Sequence, residues 1–293
     1  MGIPEYPAFR PLALEDKPVF DEALRNAPPE ISELTFTNLF AWRTAYAFEV
    51  SRLGQWIIVR AHAPSGVYFL DPIGSGDKRE AIARVLDETK AMFRRVPEST
   101  KARCGTDPRI AVSPDRNNAD YLYLTADLIS LRGKKYDGKR NLIKRFKSSY
   151  PFEYVRLTHR DIKECLDFQE QWCVMKDCDS VEGLRNERAA VHEMVHHCEL
   201  FRLIAGAVKV EGTMRAVAIA EPLNPSTMVM HILKADPNIP GLYQTVMNEF
   251  LSREAAAFTY VNLEQDLGVE GLRKAKESYQ PHAMVNKYTL FLR

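Results

Sequence analysis

The stretch Leu200-Phe-Arg-Leu-Ile-Ala-Gly-Ala-Val-Lys-Val-Glu-Gly-Thr-Met-Arg-Ala-Val-Ala-Ile-Ala220 decides the fold class. Two apolar, β-branched runs, Leu200–Val210 and Arg215–Ala220, flank Glu211-Gly212, a pair suited to a hairpin turn. Met228–Ala235 is a third run of the same kind. Downstream the period changes. Gly241 to Ala257 reads as a helix, Tyr260–Leu263 as a strand, Val269 to Tyr279 as a helix and Val285–Leu292 as a last strand. Upstream lie a strand, Phe152–Leu157, a helix capped by Thr158 and running through Trp172, and a helix from Glu182 to Glu199. Hairpins therefore precede crossovers, which predicts a mixed, mostly antiparallel sheet covered by helices.

The first half shows the same order. Lys17–Ala27 and Ser32–Ala47 read as helices, the second capped by Ser32. Phe48–Leu53, Trp56–Ala61 and Val67–Leu70 read as strands, and Asp77–Arg94 as a periodic helix. The repeat is one of element order, with no letter-by-letter similarity. It predicts an α+β (mixed α/β) protein of two tandem domains, residues 1–149 and 150–293, each with the element order of an N-acetyltransferase (GNAT-like) domain.

The length of 293 residues suits two such domains. Lys+Arg number 40 and Asp+Glu 39, so no global field drives the chain onto nucleic acid or membrane. No apolar run reaches the ~18 residues of a spanning helix, and Met1–Phe9 has no signal-peptide pattern. The five cysteines are expected to be reduced and the protein cytoplasmic.

Charge is nonetheless concentrated. Arg132–Lys147 holds eight cations against Asp137 alone. Such a segment attracts phosphate or carboxylate, or else forms a solvated helix face. A second constellation lies between Asn262 and Tyr279. The strand Tyr260–Leu263 delivers Asn262, Glu264 and Asp266 to its C-terminal edge, where open α/β sheets bind ligands. Glu264 or Asp266 is the candidate general base and Tyr279 the candidate acid; His231 is a further candidate base. The competing structural reading has Asp266 capping the next helix and Glu264 paired with Arg273. Gly241, before Tyr243 and Gln244, opens a helix whose N–H groups suit phosphate. The fuller Gln/Arg-x-x-Gly-x-Gly/Ala loop of coenzyme A sites is absent.

Together the motifs Asp120-Tyr-Leu-Tyr123, Leu131-Arg-Gly-Lys-Lys135, Lys139-Arg140-Asn141, His231-x-x-Lys234-Ala235, Gly241-x-Tyr243-Gln244 and Asn262 through Lys276 to Tyr279-x-Pro281 resemble the C-terminal domain of phosphatidylglycerol lysyltransferases. The resemblance spans nearly the whole chain and implies two GNAT-like domains in tandem. It implies Lys139, Arg140 and Asn141 against a ligand's phosphate, with His231, Lys234, Asn262, Glu264, Asp266, Arg273 and Lys276 lining a site in the second domain. Leu233 departs from it, standing where an acidic residue is expected.

Two functions follow. One is an acyl- or aminoacyltransferase, its donor a coenzyme A thioester or an aminoacyl-tRNA. The other is a non-catalytic module that binds tRNA or a nucleotide through Arg132–Lys147. A rival comes from His192-Glu193-Met-Val-His196, which matches the H-E-x-x-H of zinc hydrolases on a helix. Cys173 and Cys178 ahead of it give a loose finger spacing. The apolar stripe Val191, Val195 and Cys198 instead marks a buried amphipathic helix that holds no metal.

Overall fold

The computed structural model describes residues 2–64 and 66–293. Fourteen strands occur among them: β1 (Arg10–Pro11), β2 (Glu49–Leu53), β3 (Trp56–Ala63), β4 (Gly66–Phe69), β5 (Met92–Pro97), β6 (Ile110–Pro114), β7 (Asp120–Leu124), β8 (Phe152–Arg156), β9 (Ile204–Val210), β10 (Thr213–Asn224), β11 (Thr227–Ala235), β12 (Tyr260–Asn262), β13 (Ala283–Val285) and β14 (Lys287–Leu292). They form two sheets of seven, ordered β1-β2-β3-β4-β5-β14-β6 and β8-β9-β10-β11-β12-β7-β13. Position for position the sheets match. Each has antiparallel hairpins followed by one parallel pair, β4 with β5 and β11 with β12. The helix Arg79–Thr89 makes the first crossover and Leu242–Phe250 lies in the second. This is the tandem N-acetyltransferase-like architecture.

The sixth strand of each sheet comes from the other half of the sequence. β14 closes the first sheet between β5 and β6, and β7 lies beside β12 in the second. The chain accordingly divides into one unit of Met1–Asp120, Gln265–Val269 and Met284–Arg293, and another of Tyr121–Glu264 and Glu270–Ala283. The boundary expected between 149 and 150 is replaced by one after Asp120. The basic helix Asp137–Ser149 belongs to the second unit.

The first unit's core is one apolar cluster. Ile82, Val85 and Leu86 sit on the inner face of Arg79–Thr89 and pack with Ile58, Phe69, Phe93 and Leu290. Each such side chain contributes about 1.5–3 kcal/mol by leaving water. Leu290 carries β14 into this cluster, and a buried charge group fixes its start. Lys287 Nζ lies 2.5 Å from Glu33 Oε2 and 2.6 Å from Asp120 Oδ1. Ser32 donates to Asp120 from its backbone N (2.9 Å) and its hydroxyl (3.0 Å). Ser32 is thus not the helix cap expected from sequence. Thr35 takes that role for Phe36–Ala41, accepting from Asn38 N at 3.0 Å.

In the second unit, Leu242, Val246, Met247 and Phe250 are the buried face of their helix. Gly241 ahead of it has φ +86°, and a Cβ there would stand 2.4 Å from the Leu142 carbonyl oxygen. Only glycine fits both constraints. Thr158 caps as expected, within a capping box with Asp161.

Candidate functional site

A local irregularity in β10–β11 builds the centre of the second unit's site. Ile219 pairs with Ile232 and Ala220 with Met230, so His231 is the extra residue of a bulge. Bulges re-aim a side chain and commonly sit beside functional sites. β12 pairs with β11 only from Thr227 to Val229 and ends at Asn262, leaving the rest of β11 without that neighbour. Into this divergence His231 extends, its side chain 1% exposed. Its Nε2 is 2.9 Å from Glu221 Oε1 and its Nδ1 is 2.9 Å from Glu264 Oε1.

A ring with a carboxylate on each nitrogen donates from both and is therefore an imidazolium. Burial opposes that charge, but the hydrogen bonds to Glu221 and Glu264 and their field outweigh burial. The pKa is pushed up to about 10. His231 is a fixed cation between two anions. Glu264 is the most accessible of the three, at 20% against 13% for Glu221.

The turn after β12 sets Glu264. Asn262, fully buried, accepts from Glu264 N through Oδ1 at 2.7 Å. That Asx turn supports φ +57° at Glu264, an uncommon conformation for a residue with a Cβ. The Glu264 carbonyl accepts from Tyr121 N at 3.1 Å, and Leu263 N donates to Tyr121 O at 3.0 Å. Lys276, on the helix Glu270–Glu277, donates to the Leu263 carbonyl, and its own carbonyl accepts from the Tyr123 hydroxyl at 2.8 Å. Arg273 lies on the same helix, half-buried.

Asp266 goes elsewhere. It belongs to the first unit, is fully buried, and pairs with Arg116 Nη1 at 3.0 Å. Its Oδ1 accepts from Gly268 N at 2.8 Å, an Asx turn that precedes the helix Glu270–Glu277. The two carboxylates that sequence leaves as equal candidate bases therefore occupy different surroundings. Glu264 pairs with His231.

A second cluster surrounds Tyr279. Gln244 hydrogen-bonds its hydroxyl, and burial pushes its pKa well above the usual phenol range. Lys139 Nζ lies 4.1 Å over the ring and donates to Ser278 Oγ at 2.7 Å; burial lowers the Lys139 pKa. Tyr136 donates to the Tyr279 carbonyl at 3.1 Å. Arg140 is engaged by its own loop, donating to the Leu131 and Gly133 carbonyls and to Asp137. Asn141 is exposed. So are Arg132, Lys134, Lys144 and Arg145, which have no acidic partner among the described residues.

Lys234 and Tyr243 share a third group. Lys234 Nζ is 2.9 Å from Glu187 Oε2 and 4.1 Å over the Trp172 ring, and burial lowers its pKa. Trp172 Nε1 donates to the Ala235 carbonyl (3.1 Å) and to the Tyr243 hydroxyl (3.2 Å). At Gly241, the group that makes the close approach is the Leu142 carbonyl.

Sequence alone does not single out Glu221 for this array. The signal for its present place is a lone carboxylate directly after the apolar run Ala216–Ala220. The H-E-x-x-H residues have other partners. His192 Nε2 is 2.8 Å from Glu170, which also holds Arg188, and His196 Nδ1 donates to the His192 carbonyl at 2.8 Å. Cys173 and Cys178 form a disulfide, correcting the expectation of reduced thiols and removing the finger ligands. Among the described residues no group of three His, Cys, Asp or Glu side chains is arranged to hold a metal.

Two matching sheets, each with one parallel pair beyond its hairpins, define a tandem acetyltransferase-like protein. The chain belongs to the family described as phosphatidylglycerol lysyltransferase, C-terminal, which it matches over residues 25–291. It is thus a member of a transferase superfamily. A conserved protein of unknown function from Bacteroides thetaiotaomicron VPI-5482 has 34% identity and a TM-score of 0.90, with 97% of this chain and 99% of that one covered. L-PGS from Bacillus licheniformis shares the fold at 16% identity and a TM-score of 0.67, with 100% and 94% covered. No curated protein matches the chain. No helix among the described residues is long and apolar enough to cross a membrane.

Proposed function

We propose that this protein is an aminoacyltransferase that takes its acyl group from an aminoacyl-tRNA and uses Glu264 as the general base. The observation that carries the reading is the Glu221–His231–Glu264 array at the divergence of β11 and β12. His231 is already charged, so it takes no proton; it orients Glu264 and lowers the cost of the adjoining carboxylates. Glu264 is held in a left-handed conformation by Asn262, the kind of local strain that accumulates at functional positions. The acceptor's amine or hydroxyl gives its proton to Glu264 as it attacks the ester carbonyl. The C–O bond to tRNA breaks, and a proton returns to the departing 3′-oxygen. Tyr279, kept protonated by burial, is the proposed donor.

Two features favour aminoacyl-tRNA over a coenzyme A thioester. At the start of the helix Leu242–Phe250, the side of Gly241 where a Cβ would project is filled by the Leu142 carbonyl and Phe146 rather than open to a ligand. Arg132, Lys134, Lys144 and Arg145 give the same unit an exposed cationic segment for a polyanion. That segment is also what supports the second reading, a tRNA-binding module without chemistry.

The test offers purified protein labelled aminoacyl-tRNA or labelled acetyl-CoA, each with a crude lipid and amine acceptor mixture. Transfer from aminoacyl-tRNA, reduced about 10²–10⁴-fold in Glu264→Gln, supports the proposal. Transfer from acetyl-CoA alone, or full activity in Glu264→Gln, refutes it. Binding of tRNA without transfer establishes the module instead.

A further inference from the structure

The first unit contains a cavity that the transferase reading does not use. Its volume is about 330 Å³, at the small end of ligand sites. Three segments line it: the turn Asn26–Glu30, the loop Asp71–Arg79 that follows β4, and the helix Glu98–Cys104. Leu24, Pro28 and Ile73 supply an apolar wall.

Asp71 is the informative residue. It is 1% exposed and lines the cavity. Its Oδ2 is 2.5 Å from Lys78 Nζ and the Thr100 hydroxyl gives the carboxylate a lesser hydrogen bond, whereas Oδ1 is buried with no donor at full hydrogen-bond geometry. A buried acceptor in that state costs about 1–3 kcal/mol, more when charged. A hydroxyl or ammonium group inside the cavity recovers that cost. Arg103 lies on the cavity wall as well, exposed, with no ion pair among the described residues. Its forked N–H groups match a carboxylate.

The nearby glycines have a separate explanation. A Cβ on Gly76 would meet the Gln55 side chain at 2.7 Å, and one on Gly74 the Gln55 carbonyl at 3.0 Å. They seat the loop on the β2–β3 turn. Asp77 accepts from Arg79 N at 3.1 Å, so a carboxylate already answers the helix start. Asp71 and Arg103 are thus the polar groups left to meet a ligand, and the loop cradles no phosphate.

We propose that this cavity binds a small amphoteric acid, with its ammonium or hydroxyl donating to Asp71 Oδ1 and its carboxylate on Arg103. The apolar wall takes the ligand's hydrocarbon portion. This inference is independent of the transferase reading, since no residue of the Glu264 site takes part.

Titration calorimetry on the full chain tests it, with free L-amino acids in one arm and the corresponding hydroxy acids in the other. The arm that binds identifies the donor as ammonium or hydroxyl. The expected result is saturable binding in the micromolar to millimolar range, weakened tenfold or more in Arg103→Ala and lost in Asp71→Asn. Because Asp71→Asn disturbs a buried ion pair, Ser99→Phe, which fills the cavity from an exposed helix position, serves as the second block. No saturable binding of any probe to folded wild-type protein at millimolar concentration overturns the proposal. So does unchanged affinity in both Arg103→Ala and Ser99→Phe.

Discussion

Replacing His231 with glutamine removes a titrating cation from between Glu221 and Glu264, and the cost depends on pH in a defined direction. In the folded state the His231 pKa is about 10, against about 6.5 in an unfolded chain. Below pH 6.5 both states bind the proton and the full stabilisation is present. Above it the unfolded state loses its proton first, so stability falls by about 1.4 kcal/mol per pH unit until the native ring titrates. Between pH 6.5 and 9.5 the advantage of wild type over His231→Gln should shrink by about 4 kcal/mol, an upper estimate for a group so buried. That is a large share of a typical stability of about 5–15 kcal/mol. Trp172 is buried in the second unit and reports its unfolding once the other two tryptophans are replaced, as in Trp42→Phe/Trp56→Phe. Urea unfolding of this background with and without His231→Gln, at several pH values, gives the difference directly. A difference that stays constant from pH 6.5 to 9.5, or a ring that titrates near 6.5 by NMR, would refute the imidazolium assignment.

Lys287→Met leaves Glu33 and Asp120 buried without their shared cation, and should destabilise the first unit by about 3–5 kcal/mol in denaturant unfolding. Gly241→Ala places a Cβ against the Leu142 carbonyl at φ +86° and should cost about 2–4 kcal/mol by the same measurement. Lys144→Glu combined with Arg145→Glu should weaken tRNA binding and flatten its salt dependence, read from filter binding across a salt series. His192→Ala removes only a partly exposed contact to Glu170 and should change stability by no more than about 1 kcal/mol.

The hairpins, the crossover helices and their twofold recurrence are legible in sequence because long apolar runs carry them. The exchange of β7 and β14 is not. β5 and β6 are short and partly polar, with Arg94 and Arg95 in one and Ser113 and Pro114 in the other, so periodicity does not mark them. The partners of β14 lie about 175–195 residues away, and no local pattern encodes such pairing. The site was legible in its residue types but not in its partitions. Glu264 and Asp266 are two positions apart, yet the chain passes from one unit to the other directly after Glu264, itself left-handed. His231 was visible as a histidine on a strand. Its charge was not, because that depends on Glu221 arriving from the neighbouring strand beside a bulge. Likewise Arg140 stood in a basic run, and only the loop Leu131–Gly133 shows which acceptors it serves.

The placement of β14 also sets a timetable for biogenesis. While the ribosome is still working, β5 and β6 emerge without the strand that joins them, residues 287–292. At about 5–20 residues per second, the roughly 180 residues from Pro114 to Leu292 take on the order of ten to forty seconds to make. For that interval two strand edges stand open, inviting pairing with neighbouring nascent chains. Holdase chaperones acting on the growing polypeptide should therefore affect the yield of this protein more than that of a domain whose sheet closes in order.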